Sequence, residues 1–133
     1  MQAAAQAMPA ASSHVERLET VFATFAERAL RRRRLAWALL AEPVDPLVDA
    51  ERLAYRERYA ALVASVLRAA IAARELPEQN VELTAAALVG GCGEALVGPL
   101  APVGSRVSVD EVLTALRIFV RRAAGASDPV AVG

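Results

Sequence analysis

The sequence predicts an all-α fold, a bundle of about five helices, and three observations carry that prediction. Apolar residues recur at spacings of three and four in successive windows, as one buried face of a helix requires. Serine, asparagine and proline stand where helices are expected to start, and glycine or proline where they are expected to stop. No window alternates apolar and polar residues for long enough to make a strand.

Residues 1–11 are alanine-rich, aperiodic and interrupted by Pro9, and are expected to form a flexible leader. The folded domain is expected over 12–125, with 126–133 as a flexible tail. SHVE at 13–16 has the form of a capping box, in which the Ser13 hydroxyl accepts from the Glu16 amide and the Glu16 carboxylate reaches back. Leu18, Val21, Phe22, Phe25, Ala26 and Ala29 then mark one face of a first helix. The helix runs into Arg31–Arg34, whose positive charge suits the negative end of its dipole.

A short second helix, LAWALLAE, ends before Pro43. Asp45 offers an N-cap and Pro46 a preset first position for a long third helix over about 47–75, which Leu76-Pro77 stops. Tyr55, Tyr59, Leu62, Val63, Val66, Leu67, Ala70 and Ile71 share one face of it. Only Pro43 to Pro46 separate helices two and three, so the second is expected to fold back on the third. Asn80 can cap a fourth helix that reaches Gly98 and is closed by Pro99. SVDE at 108–111 is a second capping box, with Val107 and Val112 placed as a hydrophobic staple. Val112, Leu113, Leu116, Phe119, Val120 and Ala123 form the apolar face of the fifth helix, and Gly125 ends it.

Composition narrows the function classes. At 133 residues and 56% hydrophobic, the chain is long and apolar enough to bury one core. Fifteen basic residues balance fifteen acidic ones, whereas a dedicated nucleic-acid binder carries a basic excess. Every basic residue is arginine, so lysine nucleophiles and Schiff bases are excluded. With Cys92 the only cysteine and His14 the only histidine, neither an intrachain disulfide nor a Cys/His zinc site can form. No cofactor, no metal and no catalytic constellation is expected, and the chain does not read as an enzyme. A cytoplasmic location fits, because MQAAAQAMPAASS lacks the basic and apolar regions of a signal peptide. No membrane span is expected either, since AAALVGGCGEALVGPLAPVG carries Glu94 near its middle together with five glycines and two prolines.

Four consecutive arginines at 100° per residue fan around a helix and present no single charged face. Arg31–Arg34 therefore read as a solvated helix junction or, alternatively, as an anion contact, and this chain alone is expected to have no specific affinity for duplex DNA. The GGCG segment lacks the preceding strand, the third glycine and the lysine that phosphate-binding loops require. Gly90, Gly91 and Gly93 inside a helix cost roughly 1 kcal/mol each against alanine. The flat ridge of Ala87, Gly91 and Ala95 offers three offsets: tight internal packing, a subunit contact or a cavity wall. Glu94 flanks the ridge; if buried it needs a partner, Arg117 or Arg121 before a ligand cation.

Phe22, Phe25, Trp37, Tyr55 and Tyr59 lie on three consecutive helices. The two phenylalanines suit a core, while the tyrosine hydroxyls need partners or a cavity, where a planar apolar ligand could stack. Cys92 reads as a small core packer, with a reactive thiol as the other reading, and His14 as an exposed first-turn residue.

LAWALLAEPVDP followed by DAERLAYRERYAALVASVLRAAIAARELP resembles the C-terminal regulatory domain of the TetR/AcrR family of bacterial transcriptional repressors. The similarity continues through LTAAALVGGCGEALVGPLAP and DEVLTALRIFVRRAAG, so that it covers residues 13–125. The order of a short helix ending in AEP, a long one ending in ELP and a small-residue one ending in GPL carries it. The resemblance implies an effector-binding and dimerisation domain whose last two helices, 81–98 and 109–124, pair with their symmetry mates as a four-helix bundle. It implies a homodimer interface of Ala87, Gly91, Glu94, Ala95, Leu113, Leu116, Arg117 and Val120. It further implies a small hydrophobic or aromatic effector among Phe22, Phe25, Trp37, Tyr55, Tyr59, Leu88 and Cys92. Family members begin with a helix-turn-helix domain carrying a G-x-x-x-x-Y-x-x-F pattern, which is nowhere in this chain. Operator DNA would then be bound by a domain not present here. The rival reading is a stand-alone helical adaptor that dimerises and binds a protein partner.

Overall fold

The start of the first helix shows how this chain uses its few polar side chains. The Ser13 hydroxyl accepts from the Glu16 amide at 3.1 Å, as the capping signature predicts. The other free amides of that turn are met from a distance: the Glu75 carboxylate accepts from His14 and Val15, each at 3.1 Å. A computed structural model describes residues 12–40, 46–101 and 108–127. Five helices and no strand occupy those residues: α1 (His14–Arg31), α2 (Arg33–Leu40), α3 (Pro46–Ala72), α4 (Val81–Leu100) and α5 (Val109–Ala124). The protein is an all-α helical bundle. The leader 1–11, Pro43, Asp45, Val107 and the tail beyond Ser127 lie outside the described residues.

Two more helix starts follow the sequence signals, with Asn80 Oδ1 accepting from Leu83 at 3.0 Å and Ser108 Oγ from Glu111 at 3.5 Å. The arginine run is where α1 and α2 part. Arg32 leaves helical geometry (φ −123°, ψ 56°), and its amide is shared between the carbonyls of Arg28 and Ala29. Two helix ends are Schellman turns. At α5, Gly125 takes φ 91°, and Ala126 donates back to Arg121 at 2.9 Å. At α3 the same pattern ends the helix at Ala72, earlier than expected, with Glu75 donating to Ala70 at 2.9 Å. Its left-handed position is filled by Arg74 at φ 61°, a conformation that sequence propensity assigns to glycine. That reversal turns Glu75 back toward α1. Pro99 does not close α4 but sits inside its last turn, and the helix ends one residue later at Leu100.

Helix α1 packs on α3 and α5, α3 packs on α4, and α2 lies on α4 and α1 rather than back along α3. The inner faces meet at Leu18, Val63, Leu67, Leu88, Leu96 and Val120, all essentially inaccessible to solvent. Full burial of each such side chain stabilises the fold by about 1.5–3 kcal/mol. Glu19 is buried among them and is held by Arg121, Nη1 to Oε2, at 3.2 Å.

Candidate functional site

The apolar stripe of α1 continues past the packed core into a cavity of about 710 Å³, within the range of sites for drug-sized ligands. Its α1 wall is Val21, Phe22, Thr24, Phe25 and Arg28, and Leu35, Ala36 and Leu40 of α2 close a second side. From α3 it receives Tyr55, Tyr59 and three arginines, Arg52, Arg56 and Arg58. Val89, Gly90, Cys92 and Gly93 of α4 complete it.

The aromatic groups are layered. Tyr59 is buried (4% exposed), and its hydroxyl donates to the Val21 carbonyl at 3.0 Å. That bond and burial together fix the ring; burial, with a smaller contribution from neighbouring Tyr55, holds the phenol well above its ordinary pKa. Phe22 and Phe25 stack against it at centroid distances of 5.9 and 5.6 Å. Tyr55 lies 6.2 Å from Tyr59 but is 42% exposed, so it belongs to the mouth and not to the floor. Burial pushes the Cys92 thiol up to about 12, and a thiol that stays protonated serves here as a small apolar wall.

Five of the expected cavity residues, Phe22, Phe25, Tyr55, Tyr59 and Cys92, thus line one space. Two do not. Leu88 is fully buried in the core, and Trp37 packs half-buried against that core away from the lining. The arginines at the mouth went unassigned by sequence reasoning. Of the run Arg31–Arg34, only Arg32 reaches the cavity. Arg31 pairs with Glu27 at 2.5 Å, and Arg33 donates to the Pro99 carbonyl at 3.2 Å, tying the α2 start to the end of α4.

The outer faces of α4 and α5 are a second feature. Ala87, Gly91, Glu94 and Ala95 are exposed, and beside them Leu83 (67%), Ile118 (43%) and Phe119 (47%) show large apolar surface. The Phe119 ring lies over Gly91, 3.8 Å from where a Cβ would stand. Leu116 and Val120 are turned the other way, into the protomer's own core, because α5 uses that stripe to cover α1. Arg117 contacts Thr20 of α1 at 3.5 Å. Glu94 is exposed and needs no buried cation, and Arg121, one of its expected partners, is engaged by Glu19. Internal packing does not require the glycines beside the ridge: a Cβ at Gly90, Gly93 or Gly98 would meet nothing within 4 Å, while one at Gly91 would make ordinary contact with Phe119.

By length and composition α4 could also cross a membrane. Among the described residues no three His, Cys, Asp or Glu side chains come together as a metal-holding group. No protein-family model, curated protein or solved structure matches the chain.

Proposed function

We propose that the chain is the effector-binding and dimerisation domain of a TetR-like transcriptional regulator. The cavity among α1, α2, α3 and α4 takes a small apolar or aromatic molecule, and the outer face of α4 and α5 takes a second copy of the chain. The observation that carries this reading is the cavity itself, where four aromatic side chains, Phe22, Phe25, Tyr55 and Tyr59, line one space with Val89, Gly90, Cys92 and Gly93 of α4. The exposed Leu83, Ile118 and Phe119 support the dimer, since apolar surface of this kind beside a flat helix marks a contact site. In this reading α4 belongs to both surfaces. Gly90, Cys92 and Gly93 face the ligand, and Gly91 and Ala95 face the partner, so an effector that shifts α4 changes how the two copies meet. The chain acts in the cytoplasm, performs no chemistry of its own, and controls DNA binding by a domain outside it.

Light scattering at micromolar concentration tests the dimer. Wild type is expected at twice the protomer mass, and Gly91→Leu, which must displace the Phe119 ring and stand out from the flat face, as monomer or aggregate. A wild-type monomer contradicts the interface. Thermal-shift screening against small apolar molecules tests the cavity, because a ligand bound only by the folded state raises the melting temperature by mass action. A protein partner captured without any ligand response would favour the adaptor reading.

A further inference from the structure

The charge around the cavity does not match the charge of the chain. Overall, basic and acidic residues balance at fifteen each. The cavity lining holds five arginines, Arg28, Arg32, Arg52, Arg56 and Arg58, against one acid, Glu51. They form two i,i+4 pairs, Arg28 with Arg32 along α1 and its C-cap, and Arg52 with Arg56 along α3. Like charges at that spacing repel each other and disfavour the helix. Among the described residues, four of the five have no carboxylate within 4 Å, and Arg52 has only the exposed Asp49 at 3.8 Å. The Arg52 side chain is also largely buried. It donates through Nη2 to the Ala38 carbonyl, while its buried Nε–H has no acceptor. Arg28, Arg32, Arg56 and Arg58 are exposed to solvent, so the site is an excess of positive charge beside an apolar floor, and it suits a molecule with an apolar body and an anionic head.

We infer that the effector is an apolar carboxylic acid: its hydrocarbon or aryl body lies on Phe22, Phe25 and Tyr59, and its carboxylate is held at the mouth by the arginine pairs. This rests on the cavity being the effector site. Guanidinium forks match a carboxylate in two-pronged geometry, and charge-assisted bonds of this type are roughly twice as strong as neutral ones. A hydrophobic cation would instead place its charge among five arginines.

Isothermal titration of the full chain at pH 7 with dodecanoate, dodecan-1-ol and dodecylammonium separates the body from the head. Dodecanoate is expected to bind roughly tenfold or more tightly than the alcohol, with the ammonium weakest, and only dodecanoate should weaken as salt is added. The double variant Arg28→Gln/Arg56→Gln should bring dodecanoate down toward the alcohol. Arg34→Gln, exposed and off the cavity, should leave the ranking unchanged. Equal affinities for all three head groups would overturn the acid assignment and leave the cavity reading standing. Binding of none of them, by a chain that unfolds cooperatively, would overturn both.

Discussion

The two ends of α1 present opposite solutions to the same sequence pattern. At the N-terminal end, Val15, Leu18 and Glu19 are buried against α3 and α5, and the helix start is clamped by Glu75. At the C-terminal end the same stripe, through Phe25 and Ala29, borders a cavity ringed by arginines. Glycine reports the difference most sharply. A Cβ on Gly125, at the packed end, would lie 2.9 Å from the Pro77 ring, whereas one on Gly90 or Gly93 would meet nothing within 4 Å. The helices are locked together at one end and held apart at the other. A fold selected only for stability would close the second end as tightly as the first.

The largest expected contrast is in large-to-small truncation. Leu67→Ala, in the packed end, should destabilise the fold by about 2–5 kcal/mol in urea unfolding. Leu35→Ala, at the half-exposed cavity edge, should change it by less than about 0.5 kcal/mol. Equal losses would mean that the two ends are packed alike. Glycine substitution should reverse sign between the ends. Gly125→Ala should cost about 1–2 kcal/mol for its left-handed backbone alone, with the Pro77 contact adding to it. Gly93→Ala, adding a methyl in open space within a helix, should stabilise by up to about 1 kcal/mol.

The smallest effect is electrostatic. Partial burial by itself would raise the Glu75 carboxyl, but the amides of Val15 and His14, the charge on His14 and the Ser13 hydroxyl together bring its pKa below the ordinary 4.5. Because the folded value lies below the unfolded one, the clamp stabilises the fold above about pH 4.5 and is lost as pH falls through the folded value. Glu75→Gln should therefore be less stable than wild type at neutral pH, by under about 1 kcal/mol given solvent screening. The two should converge in acid. A constant difference across that range would remove the clamp from the account.

The helix ends were largely legible in the sequence. Ser13, Asn80, Ser108 and Gly125 are local signals, each acting within a few residues, and the structure uses all four. The α3 end was misjudged because Arg74 takes a left-handed conformation with no residue there to announce it. Glu75 and Glu19 find their partners about 60 and 102 positions away, beyond any spacing rule. Glu19 could have been singled out, since it falls between Leu18 and Phe22 on the buried face. Tyr59 on an inward stripe was readable. The contrast between Tyr55 and Tyr59 was not, because the N-terminal turns of α3, up to Arg58, are mostly exposed, and spacing along one helix does not say where its packing partners end. The arginines of the cavity come from two separate helices, and no spacing within either helix announces that they meet.

Gly93→Leu tests most directly the claim that the second end holds a cavity meant to be filled. The side chain would grow from a residue of the cavity lining into space where a Cβ meets nothing within 4 Å. The variant should stay folded with an unchanged or higher melting temperature and lose dodecanoate binding by titration. A melting temperature that falls as it does when a packed core is overfilled would contradict it, since no cavity would then exist at that position.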